Sequence, residues 1–158
     1  MHDPRLDIGK TLGSREWLAL PEFAIACIEA RIDPDTSVSR LHAVDVHPVG
    51  LYDGPGLGFR IRPIRGDGRT FVHAVAVLAP GGGAGVVRTL VTLGSATWLL
   101  DLELVAEEPE GFPMLLGAAA IGFAVDRDRA FLAGPPALAF RPPGPGRLRA
   151  EPLRPNAG

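Results

Sequence analysis

The chain has 158 residues, 46% of them hydrophobic and 22% charged, with a formal net charge of −2. That length fits one domain with a real core, and that apolar content excludes wholesale disorder. No basic stripe with interleaved aromatics occurs, which argues against nucleic-acid binding.

A single cysteine, Cys27, excludes an internal disulfide and a Cys-rich zinc site. It sits in the apolar run FAIACIEA, which reads as a buried, inert thiol. The N-terminal MHDPRLDIGK has no charged-then-apolar leader pattern. The longest apolar candidate, MLLGAAAIGFAV, is interrupted by glycines and falls short of the roughly 18 residues of a membrane span. The expectation is a soluble, cytoplasmic protein without membrane contact.

Along the chain, short strand-like runs alternate with Gly/Pro clusters. The runs are REWLAL (15–20), AIACIEARI (24–32), LHAVDVHPV (41–49), GFRIRPI (58–64), TFVHAVAVLA (70–79), GVVRTLVTL (85–93) and ATWLLDLELVA (96–106). Between them lie the turn signals LPEF, DPDTS, YDGPG, RGDG, PGGGAG and LGSA. Many closely spaced strands predict an all-β barrel or sandwich. TFVHAVAVLA is apolar on both faces, as a strand covered on both sides would be, and His73 within it reads as a hydrogen-bonded core or edge residue.

LLGAAAIGF predicts one short helix near residues 118–121, since alanine is the best helix former. VDRDRAFLAG holds a further turn that Asp126 or Asp128 could cap. From Pro135 onward the chain is rich in Pro, Gly and Arg and reads as a mostly disordered tail. The predicted organisation is an arm over 1–12, a domain over 13–134 and a tail over 135–158. Trp17, Ile28, Ile32, Leu41, Val75, Val91, Leu115 and Leu116 are the expected core.

Three ordered segments carry a family resemblance. Gly13, Arg15, Glu16, Trp17, Leu20 and Pro21 match an opening Gly-x-Arg-Glu-Trp-x-x-Leu-Pro stretch. Ser39, Leu41, His42 and Ala43 match a Ser-x-Leu-His-Ala stretch that follows an Asp-Thr-Gly-Ala turn. Met114 to Gly117 match a Met-Leu-Leu-Gly stretch. Together with FAVDRDRAFLAG (123–134), and so from about Gly13 to Gly134, they resemble the bacterial retropepsin-like aspartic peptidases, often labelled as ATP-dependent zinc proteases. The resemblance implies a mainly β, single-lobe pepsin-like closed barrel (the acid protease fold) with one short helix. It also implies a hydrolase that works as a homodimer on a peptide or protein, and an association with ATP-grasp amino-acid ligases.

In such a lobe an Asp at a strand end sits in a tight turn, and a hydrophobic-hydrophobic-Gly segment crosses behind it. Leu115, Leu116 and Gly117 fit that crossing segment. Two carboxylates held at one water cannot both ionise, so they share a proton and divide the acid and base work. One Asp per chain therefore requires two chains.

The family spacing puts the aspartate at Asp33, but Pro34 and Asp35 stand where the family has Thr and Gly. Pro34 offers neither hydroxyl nor N–H. Asp35 adds a charge, and like charges at close range repel by ~4 kcal/mol per pair at intermediate dielectric. A second register, Asp35-Thr36-Ser37, restores the threonine and extends the strand by two residues. Both remain open at this stage, with Thr36, Ser39 and His42 in support.

Metal is a third reading of Asp33, Asp35, His42, Asp45 and His47. No HExxH helix accompanies them, and His42 and His47 point to opposite faces of one strand. No metal or other cofactor is expected. The functional expectation is an aspartic endopeptidase. Its alternative is a catalytically degenerate member kept as a peptide-binding or structural module.

Overall fold

The computed structural model describes residues 11–64 and 70–137. The RGDG turn and most of the predicted arm and tail, including all of 138–158, lie outside the described residues.

The described residues form eleven strands: β1 (Leu12–Gly13), β2 (Arg15–Leu20), β3 (Ile25–Asp33), β4 (Ser39–His42), β5 (Val44–Leu51), β6 (Gly54–Ile61), β7 (Val72–Leu78), β8 (Val86–Leu93), β9 (Ala96–Val105), β10 (Met114–Gly117) and β11 (Val125–Asp126). The order β2-β3-β10-β4-β9-β8 closes on itself where Leu18 and Ala19 of β2 pair with Leu93 and Thr92 of β8. This is a closed six-stranded barrel. β7, β6 and β5 continue the sheet outward from β8, and β1 and β11 form a separate parallel pair.

Alternation explains the core. Leu18 and Leu20 of β2, Ile28, Ala30 and Ile32 of β3, and Val87, Val91 and Leu93 of β8 all point into one buried cluster. β10 is buried along its whole length: Met114 and Leu116 join that cluster, while Leu115 faces the other way beneath residues 105–110. A strand covered on both faces reads as an unbroken apolar run, and MLLG is one.

Among the described residues helix is confined to single 3-10 turns at Pro21–Phe23, Pro109–Gly111 and Ala118–Ala120. The last occupies the place of the predicted short helix. It stays one turn long because Gly122, at φ +74°, turns the chain away.

Several expectations need correction. Cys27 is exposed, not buried. Leu18 pairs with Ile28 and Leu20 with Ile25, so β3 carries one extra residue there. That bulge breaks the alternation and leaves Ala26 and Cys27 both facing outward. LHAVDVHPV is two strands, broken at Ala43, so His42 and His47 belong to different strands. β7 is covered on one face only: Ala74 and Ala76 are buried, Val75 and Val77 are half-buried, and His73 is exposed. Trp17 is half-buried, stacked on Phe131 at 5.1 Å between ring centroids. The other six expected core residues are buried.

Two acidic side chains hold the barrel together. Glu16 is fully buried, and its carboxylate accepts the N–H groups of Gly13 (2.7 Å), Leu132 (3.0 Å) and Ala133 (3.1 Å). It thereby clamps residues 129–133 across β2, aided by Ser14 N–H donating to Arg129 and Phe131 N–H to Arg15. Glu22 fills the fork where β8 passes from β7 to β2, accepting Thr89 Oγ1–H at 2.9 Å and Leu90 N–H at 3.3 Å. The chain past 134 still touches the barrel, through Ala137 N–H to the Gly94 carbonyl.

Candidate functional site

β3 and β4 are consecutive in sequence, yet β10 lies between them, parallel to β3 and antiparallel to β4. The connection between β3 and β4 must therefore arch over the end of β10. That connection is the stretch from Asp33 to Ser39, and the end of β10 is Gly117, paired with Asp33.

The turn is fastened at every level. Asp33 is the last residue of β3, and its Oδ1 accepts the Asp35 N–H at 2.8 Å, a local Asx turn that ends the strand. The Thr36 hydroxyl accepts the Val38 N–H at 3.2 Å, and the Thr36 carbonyl accepts the Ala119 N–H at 3.1 Å. Gly117 lacks the Cβ that would collide with the backbone of residues 36–38. Backbone pairing between β10 and β4 covers only Met114–Leu41 and Leu115–Arg40. The buried Ser39 hydroxyl adds the next rung, accepting the Gly117 N–H at 3.0 Å.

Asp35 leaves this frame. Its side chain is exposed, and Oδ2 takes a hydrogen bond from Arg127 at 2.9 Å. That bond, then the charge of Asp35, and to a smaller degree the charge of Asp33, raise the Arg127 pKa above its ordinary value. The guanidinium thus stands as a permanent cation beside the turn. Arg127 is held near the turn by its own neighbourhood: Asp126 ends β11, and its Oδ1 accepts the Asp128 N–H at 2.9 Å.

The structure thus brings Asp33, Asp35, Thr36, Ser39 and Gly117 together. β3 stops at Asp33 and does not run on to Asp35, the strand end required by the shifted register. His42 lies at the far end of β4, about 10 Å beyond Ser39 at strand rise. It is buried, with its N–H donating to the Pro113 carbonyl and its Nε2 bonded to the Ala106 carbonyl, so it pins the loop after β9 to the barrel. Leu116 lies in the barrel core and Leu115 beneath residues 105–110. Asp45 is paired with Arg60, and its carbonyl is bonded to His47 Nδ1. Among the described residues no three His, Cys, Asp or Glu side chains converge as metal ligands would.

Arg127 is the residue that sequence reasoning missed. Its partner lies 92 positions away, beyond the reach of any local pattern. The available signal was chemical: an acid intruding into a tight turn requires a cation, and the VDRDRAF segment is rich in them.

A closed, mainly β barrel whose aspartyl turn is seated on a hydrophobic-hydrophobic-Gly strand is a barrel of the pepsin-like class. No protein-family model matches the chain. It is 31% identical over 122 residues to a protein from Desulfotalea psychrophila named probable alpha-L-glutamate ligase, across 71% of this chain and 26% of that protein. Proteins of the same name from Shewanella pealeana and Parasynechococcus marenigrum are each 27% identical over 120 residues. The chain therefore spans about a quarter of the length of the curated relatives it matches. A Legionella pneumophila protein of unknown function (DUF785) has a similar solved structure. Its TM-score is 0.65 at 22% identity, covering 78% of this chain and 97% of that one.

Proposed function

We propose that the chain is a retropepsin-like aspartic peptidase domain that acts on peptides as a homodimer, with Asp33 from each copy facing one shared water. The supporting observation is the Asp33 turn. The carboxylate stands at the strand end, oriented by the Asp35 N–H, on a turn fastened through Gly117, Ser39 and Thr36.

In this mechanism two Asp33 carboxyls share a proton. The ionised one draws a proton from the water as it attacks the scissile carbonyl, and the protonated one donates to the carbonyl oxygen. Collapse of the tetrahedral intermediate moves a proton to the leaving amine. The curated relatives, named probable alpha-L-glutamate ligase, support an association of this domain with an amino-acid ligase, and the family resemblance makes that ligase one of the ATP-grasp type.

The test is cleavage of an unstructured protein by purified chain between pH 3 and 8. An acid optimum is expected, together with inhibition by a peptide mimic carrying a hydroxyl at the scissile carbon. Asp33→Asn should abolish cleavage, and Asp35→Asn should not. The reverse order would transfer the role to Asp35.

A second reading is the degenerate one, a peptide-binding or structural module. It is favoured by Pro34, which has no hydroxyl with which to brace a partner's turn. A dimer that binds the hydroxyl mimic but cleaves nothing at any pH would establish it.

A further inference from the structure

Any two-fold arrangement that brings two Asp33 carboxylates to one water also brings close to the axis the turns that carry the two Asp35 residues. They are two residues from Asp33, at the tip of the same exposed turn. Uncompensated, they would set two like charges against each other where the turns must meet. We propose that Arg127 is a positioning residue for this turn, supplying from the same chain the positive charge that lets two Asp33–Asp35 turns approach each other. This inference rests on the homodimeric reading above.

Three observations support it. The Arg127 guanidinium reaches Asp35 Oδ2 at 2.9 Å in a single-pronged contact, so its charge offsets that of the carboxylate. Asp33 also contributes to the electrostatic environment of Arg127, so the cation lies within range of both acids. Finally, the Asp35 N–H already serves Asp33, so the backbone at position 35 does its work whatever side chain it carries. The side chain is the only part of Asp35 that is foreign to the turn, and Arg127 is what answers it. Arg127 acts through Asp35 and is not itself a catalytic residue.

The test is the dimer dissociation constant of the full chain, measured by sedimentation at low and at high salt. Arg127→Ala should weaken the dimer about tenfold or more at low salt, and less at high salt, where repulsion is screened. Adding Asp35→Asn to Arg127→Ala should return the constant to near the wild-type value, and Arg127→Lys, which keeps the charge, should stay close to wild type. A merely structural arginine would not be rescued by removing the charge at position 35. If the wild type dimerises and Arg127→Ala leaves the constant unchanged, or if Asp35→Asn gives no rescue, this inference is overturned while the peptidase reading stands. If the wild type is monomeric at every salt concentration, both fall together.

Discussion

Gly117 lies opposite Asp33, at the point where the aspartyl turn folds back onto the end of β10. A Cβ there would stand 2.7 Å from the Val38 carbonyl oxygen, 2.8 Å from the Thr36 carbonyl oxygen and 2.8 Å from the Ser37 carbonyl carbon. All three are backbone atoms, so none can rotate away. Gly117→Ala is expected to lift the turn and to weaken the Ser39–Gly117 and Thr36–Ala119 bonds. Overpacking of this kind costs about 1–3 kcal/mol, which lowers the melting temperature by roughly 3–10 °C in a chain of this size. An unchanged melting temperature would mean that the turn is not seated on Gly117.

Glu16 makes a comparable prediction for β2, the strand beside β3. Its buried carboxylate is the acceptor for three backbone N–H groups, and truncation would leave all three without it. Glu16→Ala should cost about 2 kcal/mol or more, since an orphaned buried donor costs roughly 1–3 kcal/mol and the two part-buried donors recover some of their loss from water. Glu16→Gln keeps one accepting oxygen and should cost less. Urea denaturation of the two variants checks this order. A loss below 1 kcal/mol for Glu16→Ala would show that the 129–133 segment is held by other contacts.

Cys27 should react with a thiol reagent in the native state, because the β3 bulge turns it outward. Partial burial raises its pKa above the ordinary thiol value, so less thiolate is present at neutral pH than in a free thiol. Labelling at pH 7 should therefore be complete but slower than that of a small free thiol. The gap should close as pH rises through the raised pKa. Labelling that requires denaturant would place the thiol inside.

Cys27 also shows where sequence reading stops. The strands themselves were legible from their apolar runs, and the seat of the turn was legible from Leu115, Leu116 and Gly117 behind Asp33. What could not be read is non-local. The bulge opposite Leu18 and Leu20 depends on how β3 registers against β2, and periodicity within β3 alone predicts a buried cysteine. Val75 misled for a related reason. Its strand is apolar on both faces, but the sheet extension built by β5, β6 and β7 buries only the face carrying Ala74 and Ala76. The Asp35–Arg127 pair joins segments that meet only once the barrel has closed. The charge of Asp35 was visible as a problem, and its solution was not.

The central claim is that one Asp33 from each of two chains makes a single catalytic unit. It is tested most directly by titrating Asp33→Asn chains into a fixed amount of wild type, with subunit exchange ensured by mild urea and its removal. Each mixed dimer holds one carboxylate where two are needed, so acid cleavage should fall as the variant is added, approaching zero at large excess. Cleavage that holds constant while mixed dimers are shown to form, or wild-type dimer that cleaves nothing at any pH, would contradict the claim.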